Sequence, residues 1–249
     1  MMKCVNLPRL AATLLVVAAC LSAPARSEVA LTPHEAVYKV KISVVSGELN
    51  TQLALTDAGY AATHVIAPTG MSKLLARGSI AETSEFISCE DSIVPTAYRS
   101  DDSLSRDKTR ADIRFDWDSN EAAGTVDGET VRQTLEGLSH DRVSIQYQLM
   151  YDLLNDTPNT QYRMFEVDKL RTVNIRNIGT RRVAVRAGEF EAVGIQHQAE
   201  NSSRVTTLWF AAELDYLPVI IEQHRKGKLR VSATLERYSP SMADTSPDE

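Results

Sequence analysis

The sequence predicts a mainly β protein: a curved antiparallel sheet or partly open β-barrel, with one mid-chain α-helix and a short inserted helical turn. Three observations predict it. Apolar side chains recur at every second position through most of the chain, turn residues punctuate these runs at hairpin spacing, and one stretch near the middle switches to helical spacing. A strand whose alternate side chains are polar has one wet face, which is the pattern of an antiparallel sheet.

The elements follow in order. Tyr38, Val40 and Ile42 fall on one face of the first strand, with Lys39 and Lys41 on the other. Ser46-Gly47 is read as a turn into a strand over residues 49–55, and Asp57-Ala58-Gly59 as a turn into residues 60–66. Residues 69–76, with Met71, Leu74 and Leu75, suit one or two helical turns between strands. The alternation is cleanest over residues 110–118, where Ala111, Ile113, Phe115 and Trp117 face in and Arg110, Asp112, Arg114 and Asp116 face out. Asp127-Gly128 is a strong two-residue hairpin signal. Ser139 is the expected cap of a helix over residues 141–154, in which Val143, Tyr147, Met150 and Leu154 share a face; the Pro158 region stops it. A last hairpin around Lys226-Gly227 joins residues 219–223 to 229–235.

The ends assign an address. Residues 10–21 form an apolar run of about a dozen residues behind Lys3 and Arg9, which is the core of an export signal and too short for a bilayer core needing about 20. Small residues around Ala25 and Ser27 supply the cleavage site, so residues 1–27 are read as signal peptide, 28–238 as a single β-rich domain and 239–249 as a disordered tail. The expected location is the periplasm, soluble after cleavage near Ser27. The alternative is a lipoprotein anchored through Cys20, since Val17-Ala18-Ala19-Cys20 approximates a lipobox. No later segment reaches transmembrane length.

Removing residues 1–27 takes away Lys3, Arg9 and Arg26 and no acid, moving the formal net charge from −6 to −9. An acidic chain repels polyanions at long range, which argues against nucleic acid as a partner. Processing also leaves Cys89 as a lone cysteine, read as a small buried hydrophobe in a fold without disulfides.

Several segments together resemble a known family. They are Glu35-Ala36-Val37-Tyr38, Gly59-Tyr60, Pro95-Thr96-Ala97-Tyr98-Arg99-Ser100, Arg186-Ala187-Gly188-Glu189-Phe190-Glu191-Ala192, Leu208-Trp209-Phe210 and Tyr216-Leu217-Pro218-Val219. In their order they resemble the exported bacterial family labelled domain of unknown function 3108, over residues 33–238. Gly47-Glu48 and Ala211-Ala212-Glu213 depart from its pattern. The resemblance implies a periplasmic address and a curved antiparallel sheet, and no activity.

No catalytic constellation emerges. His34, His64, His140, His197 and His224 are scattered without metal-ligand spacing; there is no Gly-x-Ser-x-Gly elbow, phosphate loop or dinucleotide fingerprint. No cofactor or metal is expected. Met71, Leu74, Leu75, Trp117 and Trp209 are candidates to line the mouth of a half-open barrel and hold a lipid or other amphipathic ligand. Arg176, Arg182 and Arg186, in a basic run with Arg171 and Arg181, form a candidate anion-binding or partner face, with Arg176 brought opposite the others if 177–179 turns. The expected function is a non-enzymatic cell-envelope protein binding an apolar or amphipathic ligand in the concave face. The alternative is a module that docks on another envelope protein through an edge strand or the arginine face. A hydrolase is third, with no motif behind it.

Overall fold

The computed structural model describes residues 29–43, 45–89, 92–166 and 169–241. Residues 1–27, read as signal peptide and including the expected lipobox cysteine Cys20, lie outside them, as do residues 242–249. The described chain forms β1 (His34–Ile42), β2 (Val45–Thr56), β3 (Gly59–Pro68), a 3-10 turn (Gly70–Leu74), β4 (Ile80–Cys89), β5 (Ser92–Asp102), β6 (Thr109–Asp116), β7 (Glu121–Val126) and β8 (Glu129–Thr134). Then come β9 (Ser139–His140), α1 (Ser144–Asn155), β10 (Gln161–Glu166), β11 (Lys169–Val185), β12 (Gly188–Ala199), β13 (Arg204–Ala211), β14 (Leu217–Arg225) and β15 (Lys228–Pro240).

All the strands belong to one sheet, in the order β8-β7-β6-β5-β4-β3-β2-β1-β15-β14-β13-β12-β11-β10-β9. The first and last strands are therefore neighbours at its centre, and the mid-chain strands are its edges. Every pairing is antiparallel except β9 with β10. The sheet rolls up. Phe115 of β6 meets Phe165 of β10 edge-on at 5.8 Å, although the two strands lie near opposite edges of the sheet. Bulges at Val37/Tyr38, Glu85/Phe86, Trp209/Phe210 and Gln223/His224 supply local bends. The β6 and β7 backbones approach so closely at Gly124 that a Cβ there would lie 1.9 Å from the Asp112 carbonyl oxygen.

Helix α1 runs inside the roll. Ser144 through Asp152 are all buried, so the apolar stripe expected from Val143, Tyr147, Met150 and Leu154 understates its enclosure. Its polar side chains are tied to strands and termini. Gln148 Oε1 accepts from the Ile93 amide at 2.9 Å, and Asn155 Oδ1 accepts from the Val29 amide at 2.8 Å. Aromatic side chains of the sheet close on Tyr147: Phe86 at 5.5 Å, His64 at 5.9 Å and His34 at 6.2 Å between ring centroids.

Several local expectations are corrected. The first hairpin turns at Ser43, which has a positive φ, and Ser46 and Gly47 lie inside β2. The side chain that caps α1 is Asp141, not Ser139: its Oδ1 accepts from the amides of Val143 and Ser144 at 2.8 and 2.9 Å. Residues 177–179 form a bulge within the continuous strand β11, so Arg176 does not fold back across from Arg182. Ser239 and Pro240 are paired with Glu35 and His34 rather than disordered. Cys89, read as a buried hydrophobe, is half-buried at the end of β4; the other two cysteines, Cys4 and Cys20, lie outside the described residues.

Candidate functional site

The helix does not fill the concavity on the side of the second half of the chain. A cleft of about 470 Å3 remains between α1 and β10 to β14. Its inner wall is apolar: Ile145 and Leu149 of α1, Met164 of β10, Leu208 of β13 and Ile221 of β14. His197, Thr206 and Gln223 add neutral polar groups, because burial pushes the His197 imidazole down to about 4. Gln146, Glu166, Asn201, Ser202 and Ser203 also line the space, so an apolar strip is set in a mainly polar cleft of a volume that suits a small-molecule ligand.

The mouth is cationic, with Arg142, Arg171, Arg204 and Arg225 around it. Two of these are neutralised by carboxylates. Arg142 lies 2.9 Å from Glu82 Oε1, and Arg171 Nε lies 2.6 Å from Glu166 Oε2. Arg204 and Arg225 are different. They stand directly opposite each other on β13 and β14, both exposed. Among the described residues neither guanidinium has an ion-pair partner. Like charges directly across a ladder repel, so this pair costs stability unless an anion lies between them. A wider opening of about 740 Å3 shares Arg142, Arg171 and Arg204 and reaches Val126 and Val131, so the mouth continues to the opposite edge of the rolled sheet.

The residues singled out from the sequence are placed elsewhere. Met71, Leu74 and Leu75 are 78, 71 and 71% exposed and do not line the cleft. The reason is Ser72: it is buried and its Oγ accepts from the Ser46 amide at 2.9 Å, which turns its neighbours outward. Trp209 follows Leu208, so strand alternation puts it on the outer face, where Arg181 lies 3.8 Å over its ring and Ile178 packs beside it across Gly194. Trp117 is half-buried, stacks on Phe115 at 5.9 Å and donates its indole N–H to the Pro95 carbonyl at 2.6 Å. Arg176, Arg182 and Arg186 do not converge. They are taken up by Gln196, Glu189 and Glu236 at 2.5, 2.5 and 3.4 Å. His197 and His224 belong to strands separated by β13 and do not meet.

A family model described as "Protein of unknown function (DUF3108)" matches residues 35–233. The chain belongs to the DUF3108 family. None of the curated proteins matches it. Among solved structures, this DUF3108 chain is similar to a beta-barrel-like protein of the domain of unknown function DUF1849 from Brucella abortus. Identity there is 7%, coverage is 86% of this chain and 100% of that one, and the TM-score is 0.56. That likeness concerns the fold alone. A protein with a YmcC-like fold from Bacteroides fragilis matches at 10% identity over 84% of this chain and 96% of that one, with a TM-score of 0.33.

The sequence marks Arg171 only as part of a basic run, and gives Arg204 and Arg225 of the DUF3108 cleft no site role. Arg225 sits in the basic stretch Arg225-Lys226-Gly227-Lys228, which reads as a hairpin connection, Arg204 stands apart from any basic run, and only the β13–β14 register brings the two together. Nothing in the sequence marks a second cleft, of about 550 Å3, beside the far end of α1. There Asp152 accepts from Tyr162 and from Gln148, and burial pushes its carboxyl up to about 6. Among the described residues no group of three His, Cys, Asp or Glu is placed to hold a metal ion. No helix among them is long and apolar enough to cross a membrane.

Proposed function

We propose that this DUF3108 protein is a non-enzymatic, periplasmic cell-envelope protein that holds an amphipathic anion. The apolar body lies along Ile145, Leu149, Met164, Leu208 and Ile221, and the acidic head sits between Arg204 and Arg225. The observation that carries the reading is that opposed arginine pair, without an ion-pair partner among the described residues, at the mouth of a cleft whose inner wall carries an apolar strip. A carboxylate or phosphate accepts charge-assisted hydrogen bonds from both guanidiniums and removes their repulsion. The periplasmic address rests on the leader read from residues 1–27. The edge-strand alternative is less favoured: β8, one edge of the sheet, is six residues long and carries Glu129 and Arg132, features that discourage strand addition.

Calorimetric titration with oleate and with dodecyl phosphate tests the reading and separates the two head chemistries. Arg204→Ala combined with Arg225→Ala should weaken the preferred probe by on the order of a hundredfold, at roughly 1.5 kcal/mol for each charged hydrogen bond. Ile221→Trp, which fills the cleft from a half-buried position, should abolish binding while circular dichroism stays unchanged. Equal affinity in all three proteins, or no heat with either probe, rejects the proposal.

A further inference from the structure

The strand register sorts every connection in the roll to one of two ends. One end collects the 3-10 turn after β3, the β5–β6 loop, and the turns that join β12 to β13 and β14 to β15. The cleft mouth opens at this end, since Arg204 starts β13 and Arg225 finishes β14.

This end has an unusual surface. In the 3-10 turn Met71 and Leu74 are three residues apart and so stack on one side, with Leu75 next to them, all three exposed. They are not held out by looseness. Ser72 pins the turn: its amide donates to the Thr69 carbonyl at 3.1 Å, its carbonyl accepts from Leu75 and Ala76, and its hydroxyl holds the Ser46 amide. Leu229, 52% exposed, lies just past the β14–β15 turn, about 15 Å away across three strand spacings (β3 to β2, β1 and β15).

Cations surround these apolar tips. Lys73 and Arg77 flank the turn, Arg106 and Lys108 lie in the β5–β6 loop, and Lys226 and Lys228 bracket Gly227; all six are exposed. Residues 69–79 and 225–228 contain no acid. The acids at this end, including Asp107, Asp127, Glu129 and Glu166, are outnumbered by the bases. The opposite end shows the reverse, with Asp57, Asp118, Asp156, Glu213 and Asp215 at its turns. In a chain of net charge −6 the positive charge is thus segregated to the end that exposes apolar side chains.

We infer that this end is a docking surface for an anionic lipid bilayer. Met71, Leu74 and Leu75 enter the interface, the surrounding lysines and arginines meet lipid phosphates, and the cleft mouth faces the membrane. The partner is a lipid surface because both halves of the complementarity are present together: large apolar side chains for the acyl boundary and a ring of bases for anionic headgroups. An acidic protein would satisfy the bases and leave the protruding turn without a cavity to enter. The inference does not require that the cleft be occupied.

Flotation with phosphatidylcholine vesicles, with and without phosphatidylglycerol, is the test. The processed chain should float with the phosphatidylglycerol vesicles and be released by high salt. Lys73→Glu with Arg77→Glu should weaken that binding about thirtyfold, taking about 1 kcal/mol per basic residue. Met71→Ser, Leu74→Ser and Leu75→Ser together should abolish it while leaving oleate affinity untouched; Ile221→Trp should do the opposite. Leu74→Trp should shift its emission to the blue on phosphatidylglycerol vesicles. Failure of the wild-type chain to float, an unshifted Leu74→Trp spectrum, or a 3-10 turn variant that changes oligomeric state instead of flotation overturns the inference.

Discussion

Ser84 donates its hydroxyl proton to Asp141 Oδ2 at 2.6 Å, joining strand β4 to the start of α1. The other carboxylate oxygen receives the Val143 and Ser144 amides, so one buried side chain both caps the helix and anchors it inside the sheet. Burial pushes the Asp141 carboxyl up, and the Ser84 hydroxyl and helix amides oppose the shift.

Asp141→Ala removes the cap and leaves the Ser84 hydroxyl and two amides without a partner. It should lower unfolding stability by about 2–3 kcal/mol in urea titration, whereas Ser84→Ala should cost about 1 kcal/mol. Wild-type stability for Asp141→Ala would mean the helix is positioned by packing alone.

Among the described residues neither ring nitrogen of His140 has a hydrogen-bond partner, yet the side chain is fully buried and meets Tyr162 edge-on at 5.4 Å. His140→Phe keeps the ring contact and removes two unsatisfied polar atoms. Stability should rise by about 1–2 kcal/mol, read as a higher thermal midpoint. A lower midpoint would show that the imidazole has a polar role in the core.

Acid should destabilise the fold through its histidines. Burial lowers His64 to about 4, His140 to about 3 and His197 to about 4, from 6.5. The unfolded chain therefore binds protons more tightly between these values, and stability present above pH 6.5 is lost as pH falls toward 4. Asp152 and Asp141 act in the opposite sense: burial raises both above 3.8, Asp152 to about 6, so each makes the fold less stable as pH rises through its window. Three histidines at roughly 3 kcal/mol each, joined by His34, which burial also lowers, outweigh the two raised carboxylates. The thermal midpoint should drop between pH 7 and pH 4.5; His140→Phe should flatten the drop and Asp152→Asn should steepen it. A flat profile in the wild type contradicts the burial of these rings.

Gly194 lets Trp209 and Ile178 close over the outer face of β12; a Cβ there would lie 2.6 Å from Ile178 Cγ1 and 2.8 Å from Trp209 Cζ3. Gly194→Ala should cost about 1–3 kcal/mol and shift tryptophan emission, because the Trp209 ring must move. An unchanged spectrum would place the ring elsewhere.

Periodicity was sufficient for the sheet. Ala111, Ile113 and Phe115 are buried while Arg110, Asp112 and Arg114 are exposed, and Asp127 and Gly128 take the positive φ values their hairpin needs. These features depend on neighbours along the chain, and local sequence encodes them. Capping was harder to read: Ser139 and Asp141 are both good caps, and only the presence of Ser84 beside Asp141 selects between them.

The alternation of apolar groups and the turn residues thus settled that the chain is an antiparallel sheet interrupted by one helix. Only the rolled structure decided that the helix leaves a cleft on one side, that Trp209 faces outward, and that Arg204 meets Arg225. Burial of a strand face is a short-range pattern, repeated every second residue. Which side chains meet across a roll depends on how strands are paired, where bulges shift them and how far the sheet bends, and those quantities arise from contacts between residues distant in the chain.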